Sequence, residues 1–522
     1  MKKIQLYITA FILLLAVGCD NFLDVDQPDV VEDENAFKTY NEGLVAIIGC
    51  YQGIQEAVDQ LFLLANLRTD LILPNDNAPA YFKELSEGIY SASNPYLDAS
   101  PFYRIINQTN DVLSNMDKLQ ANDPENVDEN IVAKFKAEVT VIRALSYLYI
   151  MQNFDKIYYY ENSLTEYDPS LTIEPTPKAA VIDTLTSQLE YYLYQKDVGN
   201  FVIEDQISGN YKWYKFRFGE DSSVRQLLAE LYMEGMNYSR AFEELHQIID
   251  LDDPLNRVDR FSMSSLYGFN KWKNIFESYA TSYTTNNEML LTVPFYKRND
   301  QTYNVQYWCS NAADGVYYLK PSNVAISYFA SQGEDGDIYR GEGITYDFEN
   351  GEPIISKYLI NVGLYDYDNS FILFRAGDSW LDACEALNHI GSPADALELM
   401  NTGYYQEQQI KDVSLGVRGR VGLAPLYIKD FDPVKTKIDL GELITREDSI
   451  KAVDMAILDE RAREEAYETS RFYDLRRISE YWNDPTIISD IISSKYKGVD
   501  EAKVEIIKQR FLNPANWYIT TD

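Results

Sequence analysis

The chain has 522 residues, a formal net charge of -36, and apolar side chains at 46% of positions. So acidic a surface repels nucleic acid and excludes that class of partner, and the apolar content excludes a largely disordered chain. Tyrosine is the unusual count, at 42 residues; its flat apolar face and polar tip suit packed helix interfaces and recognition surfaces alike.

The N-terminus opens with Lys2 and Lys3, followed by an apolar run from Tyr7 to Gly18. Twelve residues fall short of the ~20 that a spanning helix needs, and a charged start with a short apolar core fits a secretory signal. Ala16-Val17-Gly18-Cys19 resembles a bacterial lipobox, with Ala16 where Leu is usual. This predicts a signal peptide over 1–18 and acylation of Cys19, the alternative being an ordinary cleaved signal with an incidental cysteine. Acyl chains hold a protein at a membrane without spanning it. Residues 19–33 then read as a short acidic tether containing Pro28, and 34–522 as the folded body.

Helical periodicity follows in "AFKTYNEGLVAIIGCYQGIQEAV" from Ala36, in "PFYRIINQTNDVLSNMDKL" from Pro101, and in "IVAKFKAEVTVIRALSYLYIMQNF" from Ile131, each with apolar residues at i, i+3 and i+4. "KAAVIDTLTSQLEYYLY" adds another from Lys178. Two later segments read as helix, turn, helix. Ala229 and Ala241 stand 12 apart around Gly235, and Cys384 and Ala396 repeat that spacing around Gly391. Small residues 12 apart across a turn let two antiparallel helices pack closely, which is the tetratricopeptide spacing; generic helical hairpins are the alternative. Stretches at about 68–100, 255–370 and 401–445 lack helical period and read as loop inserts with a few short strands. Long loops on a helical scaffold point to binding in the loops.

No catalytic or cofactor motif stands out. The two histidines, His246 and His389, fall on helix-pair positions and read as scaffold. There is no nucleophile elbow, zincin motif or phosphate-binding loop, and no cofactor or metal is assigned. "LYDYDN" has acidic spacing but lacks the rest of a calcium loop. Cys50, Cys309 and Cys384 are an odd set, expected to be buried free thiols. Glu460, Glu464 and Glu468 recur every four residues among Arg461, Arg463 and Arg471. The pattern reads as one helix face carrying ion pairs rather than as catalytic carboxylates. Arg471, Asp474, Arg476 and Arg477 are expected to tie this helix to its neighbours through bidentate contacts.

"ERAREEAYETSRFYDLRRI", 460–478, resembles the C-terminal signature of the SusD/RagB family. "AEVTVIRALSYLYIMQNF", "ILFRAGDSWLDACEALNHIG", "DGDIYR", "NPANWYI" and "CDNFLDVDQP" resemble further family segments in the expected order along nearly the whole chain. The resemblance implies a mostly α-helical single globule of tetratricopeptide-like helix pairs. It implies an outer-membrane lipoprotein, facing the cell surface, that caps a TonB-dependent transporter barrel of the SusC type and hands it oligosaccharides. Peptide capture, or a lid with little affinity of its own, are the alternatives. No catalysis is implied.

Sugar rings stack on aromatic faces, and their hydroxyls pair with Asn, Asp and Arg. On that chemistry Tyr81, Tyr96, Tyr283, Tyr307 and Trp308 are the candidate platforms and Asp76 a candidate hydroxyl partner. Loop aromatics packed on the scaffold are the alternative.

Overall fold

The computed structural model describes residues 36–164, 171–195, 218, 221–249, 271–276, 288–295, 304–311, 315–332, 335–359, 369–403, 416–428, 438–439 and 445–520. Cys19, Tyr283 and most of "LYDYDN" lie outside the described residues. No described helix is long and apolar enough to cross a membrane.

Helix α1 (Tyr40–Asn66) starts where the Thr39 side chain accepts from the Glu42 amide, a cap that satisfies one of the free first-turn donors. The first insert follows, with β1 (Ile72–Pro74) and α2 (Ala80–Ser86). Helix α3 (Ser100–Asn122) carries Pro101 in its first turn, where a missing N–H is harmless. Helix α4 (Glu129–Asn153), capped by Asp128, is buried at every position from Ala137 to Asn153. A helix buried on every side sits in the centre of a core, and α4 packs between α3, α1 and α5 (Lys178–Glu190).

Helices α6 (Asp221–Glu234) and α7 (Tyr238–Ile249) form the first pair expected from small-residue spacing, and Ala229 and Ala241 are both fully buried. The second insert supplies α8 (Lys271–Phe276), β2 (Met289–Phe295), α9 (Val305–Cys309), β3 (Leu319–Pro321) and α10 (Asn323–Ala330). The hairpin β4 (Tyr346–Glu349)/β5 (Glu352–Ile355) and β6 (Asn369–Arg375) complete it. Helices α11 (Ala376–His389) and α12 (Pro393–Thr402) are the second expected pair, with Cys384 and Ala396 fully buried and Gly391 at φ 99° in the turn. After β7 (Leu426–Tyr427) and β8 (Ile438–Asp439) come α13 (Arg446–Glu464), α14 (Arg471–Tyr481), α15 (Pro485–Ser494) and α16 (Glu501–Phe511). Among the described residues the strands pair in twos: β1 with β3, β2 with β6, β4 with β5, and β7 parallel to β8. The antiparallel β1–β3 ladder matters most, because it joins the first insert to the second.

The 460–478 segment is not one helix. Helix α13 ends at Glu464, Tyr467 turns the chain at φ 67°, and α14 begins at Arg471. Glu468 therefore sits in a corner, and the three glutamates reach outward to remote cations. Glu460 accepts from Arg340, Arg418 and Arg463. Glu464 accepts from Arg340, Arg375 and Arg420. Glu468 accepts from Arg375 and from Lys357 Nζ at 2.5 Å. Burial pushes the Glu464 carboxyl up, but its arginines outweigh burial and hold it down at about 2. Burial prevails at Lys357, which is lowered despite Glu468. Trp272 of α8, almost fully buried, lies 5.9, 5.3 and 5.3 Å from the guanidinium carbons of Arg340, Arg375 and Arg420, so its π-face adds to the compensation of these charges.

The bidentate expectation for α14 holds for Arg471 and Arg477; Arg476 reaches both Glu234 oxygens through Nη2 alone, and Asp474 accepts from Arg477 within its own helix. Arg471 grips Asp70, Arg476 grips Glu234, and Arg477 grips Glu385. These pairs fasten α14 to the first insert, to α6 and to α11. Cys50, Cys309 and Cys384 are free and buried.

Candidate binding site

The β1–β3 ladder brings the first insert against α9. Two more contacts pin them: Asn75 Nδ2 donates to the Tyr317 carbonyl at 2.8 Å, and Asn77 Nδ2 to the Val316 carbonyl at 2.8 Å. On this frame Tyr81, Phe82, Tyr96, Trp308 and Tyr318 meet as one aromatic cluster. Phe82 is the hub: its ring lies edge-on to Trp308 at 5.0 Å and to Tyr318 at 6.0 Å, and tilted to Tyr96 at 6.0 Å. Tyr81 and Tyr96 are 5.8 Å apart, and Tyr96 stands perpendicular to Trp308 at 6.1 Å. Edge-to-face contacts of this kind fix ring orientation.

Burial sorts the cluster into two layers. Phe82 is 1% exposed and Trp308 6%, whereas Tyr81 and Tyr96 are half-buried. Trp308 therefore does not serve as an open platform. It lies beneath Tyr96, because α9 turns it inward against Phe82. Tyr307, next to it on α9, is half-buried, and its carbonyl accepts from the Val316 amide at 2.9 Å. Asp76 lies in the exposed turn after β1, where its carbonyl accepts from Lys83 Nζ at 2.6 Å.

The backbone behind Tyr81 and Tyr96 is held by amides. Asn94 donates to the Tyr81 carbonyl and accepts from the Tyr96 amide, while Gln60 Nε2 donates to the carbonyls of Tyr96 and Asp98. Beside them, Asp59 of α1 accepts from the Asn304 amide at 2.8 Å and from Asn304 Nδ2 at 2.5 Å. Burial raises the Asp59 carboxyl, against the pull of both Asn304 bonds. The Tyr96 phenol is pushed up to about 12 by burial, with Asp59 and Tyr81 adding to it. It stays a neutral donor at any ordinary pH. The result is two tyrosine faces on a rigid aromatic base, with a carboxylate and an exposed carboxamide alongside. Such a surface can stack on a ring and pair with hydroxyls.

Asp59, Asn304, Phe82 and Tyr318 were not singled out from sequence. Asp59 lies within the apolar period of α1, which hides it. Phe82 and Tyr318 are insert aromatics like those chosen, and only the ladder tells which ones meet. Neither histidine joins the site. His389 stacks on Tyr238 at 4.2 Å, with Nε2 3.1 Å from Asp454, and His246 packs edge-on to Phe242. Among the described residues no cluster of potential ligands could hold a metal ion.

Residues 205–522 match the model of the SusD family. The chain belongs to the SusD family. It is similar to the SusD-like protein P2 of Formosa agariphila, 24% identical over 517 residues that cover 92% of this chain and 91% of the relative. Among solved structures it resembles a SusD superfamily protein from Bacteroides thetaiotaomicron, with a TM-score of 0.65, 17% identity, and 92% and 95% of the two chains covered. It also resembles surface glycan-binding protein A from Bacteroides uniformis, with a TM-score of 0.62, 16% identity, and coverage of 89% and 93%. These likenesses establish the mostly helical SusD-like globule inferred from the sequence.

Proposed function

We propose that this SusD-family protein is a non-catalytic binding protein that captures oligosaccharides at the Tyr81–Tyr96 surface. The observation that carries the reading is the convergence of two separate inserts on one rigid aromatic base, with half-buried tyrosines above it. A relative of the same fold is named as a surface glycan-binding protein, which supports glycans over peptides. Acylation at Cys19 would tether the protein to the outer membrane facing outward, and the ligand would pass to a TonB-dependent barrel of the SusC type. Calorimetric titration with a panel of plant, host and microbial oligosaccharides and mixed peptides tests the capture step. Saturable binding to one glycan class, lost at this surface in Tyr96→Ala, is the expected result. Binding of peptides alone would move the protein to the peptide branch, and no binding at all would favour a lid that needs its barrel. Co-purification of a barrel in mild detergent tests the delivery step, and palmitate labelling abolished by Cys19→Ala tests the anchor.

A further inference from the structure

A second cleft lies away from the aromatic cluster, between α3, α4, α5 and the segment before residue 165. Its volume is about 810 Å³, within the ~300–1,000 Å³ of small-molecule sites. Arg143 of α4, 5% exposed, forms part of its lining. Nη1 donates to Asn110 Oδ1 at 2.8 Å and Nη2 to Gln188 Oε1 at 3.0 Å. Gln188 in turn donates to Glu161 at 2.5 Å, and Tyr159 also donates to that carboxylate. Burial raises the Glu161 carboxyl, but Tyr159, Gln188 and Arg143 outweigh it and hold it lowered. Arg143 Nε stays buried without a partner among the described residues, a cost that a fully satisfied core would not carry.

The aromatic wall comes from a local irregularity. Helix α5 does not simply end; it widens into a π-turn over Tyr191–Gln195, a feature often found at functional sites. The turn sets Tyr191 and Tyr192 nearly perpendicular at 5.2 Å, and both line the cleft. Ser114, Thr140, Asn162, Ser163, Thr184 and Ser187 also line the cleft.

Charge decides the ligand class. Among the described residues Arg143 is the one cation in the lining and is answered by Glu161, and Asp183 adds a second carboxylate. A carboxylate or phosphate would meet net negative charge. We infer that this cleft is a second ligand site, for a neutral polyhydroxylated molecule of mono- or disaccharide size, with Tyr191 or Tyr192 as the stacking face and the Asn110–Arg143–Gln188 chain as the fixed polar floor. The inference rests on the chemistry of this cleft and stands even if the Tyr81–Tyr96 surface binds nothing.

The test is titration of the full chain carrying Tyr96→Ala with glucose, maltose, cellobiose and laminaribiose, and with glucose 1-phosphate and glycylglycine as charged controls. Saturable binding of at least one neutral sugar is expected. Ser187→Trp, at an exposed position on α5, should fill the cleft and weaken it by about tenfold or more, equivalent to ~1.4 kcal/mol. Tyr191→Ala, on the rim, should weaken it without unfolding. No neutral-sugar binding, binding indifferent to both substitutions, or preference for either charged probe would each overturn the inference.

Discussion

Arg375 and Glu468 meet fork to fork. Nε donates to Oε2 at 2.7 Å and Nη2 to Oε1 at 2.9 Å, with the guanidinium wholly buried and the carboxylate nearly so. The pair joins the end of β6 to the corner between α13 and α14. Removing one member of such a pair leaves an uncompensated buried charge, which costs about 3–5 kcal/mol. Arg375→Met is therefore expected to lower unfolding free energy by about that amount in urea titration.

Gly377 allows this pair its position. A Cβ there would lie 2.1 Å from Arg375 Nη1 and 2.9 Å from Glu464 Oε1. The guanidinium cannot swing aside, because Glu464 and Glu468 hold it. Gly377→Ala should destabilise the protein by about 1–3 kcal/mol through overpacking. A thermal melt indistinguishable from wild type would contradict the geometry.

The two layers of the aromatic cluster should separate in mutants. Tyr96→Ala removes a half-buried face and is expected to abolish oligosaccharide binding at the Tyr81–Tyr96 surface while leaving the melting temperature nearly unchanged. Trp308→Ala removes a buried base and should cost about 3–5 kcal/mol of stability in addition to weakening binding. Parallel calorimetry and denaturation of the two variants tell these effects apart.

Lys495 supplies a pH dependence. It is fully enclosed, donates to the Leu67 carbonyl at 2.8 Å, and is lowered to about 7 by burial, with Asp70 and Glu87 pulling the other way. An unfolded lysine titrates near ~10.4. Between those values the unfolded chain binds more protons than the folded one, so this group makes stability rise with pH there. Lys495→Met removes the effect. Its stability relative to wild type should be greatest near pH 6 and fall by about 1.4 kcal/mol per unit between pH 7 and 9. A pH-independent difference would count against a depressed Lys495.

Burial also raises the thiols of Cys50, Cys309 and Cys384, Cys50 to about 12. A thiol-reactive dye should leave all three unlabelled in native protein and label them in denaturant.

The helix pairs were legible because close packing leaves a sequence mark. Ala229 with Ala241, and Cys384 with Ala396, are small where two helices touch, and all four are fully buried. The corner at Tyr467 was not legible. No Gly or Pro announces it, and the four-residue spacing of Glu460, Glu464 and Glu468 runs straight through it. The ion pairing was foreseeable from charge alone, but the partners were not, since Arg340, Arg418 and Arg420 come from inserts without periodicity. The same limit applies to the site. Tyr81, Tyr96 and Trp308 were chosen for their chemistry, yet which aromatics meet, and which lie underneath, depends on the β1–β3 ladder. Asp59, within the apolar pattern of α1, carried no signal of its own.

The charges of the buried network lie far apart along the chain. Arg340, Arg375, Arg418 and Arg420 are synthesised before Glu460, Glu464 and Glu468, and those guanidiniums are fully or almost fully buried in the finished protein. A chain broken off anywhere before α13 is therefore not a smaller version of the protein. Arg340 keeps Asp337 and Arg420 keeps Glu288, but the carboxylates of Glu460, Glu464 and Glu468 are missing, and the β1–β3 ladder loses the Arg471–Asp70 clasp that backs it. A fragment that ends before α13 is therefore expected to be digested by a protease at concentrations that leave the full chain intact, which limited proteolysis of the two checks.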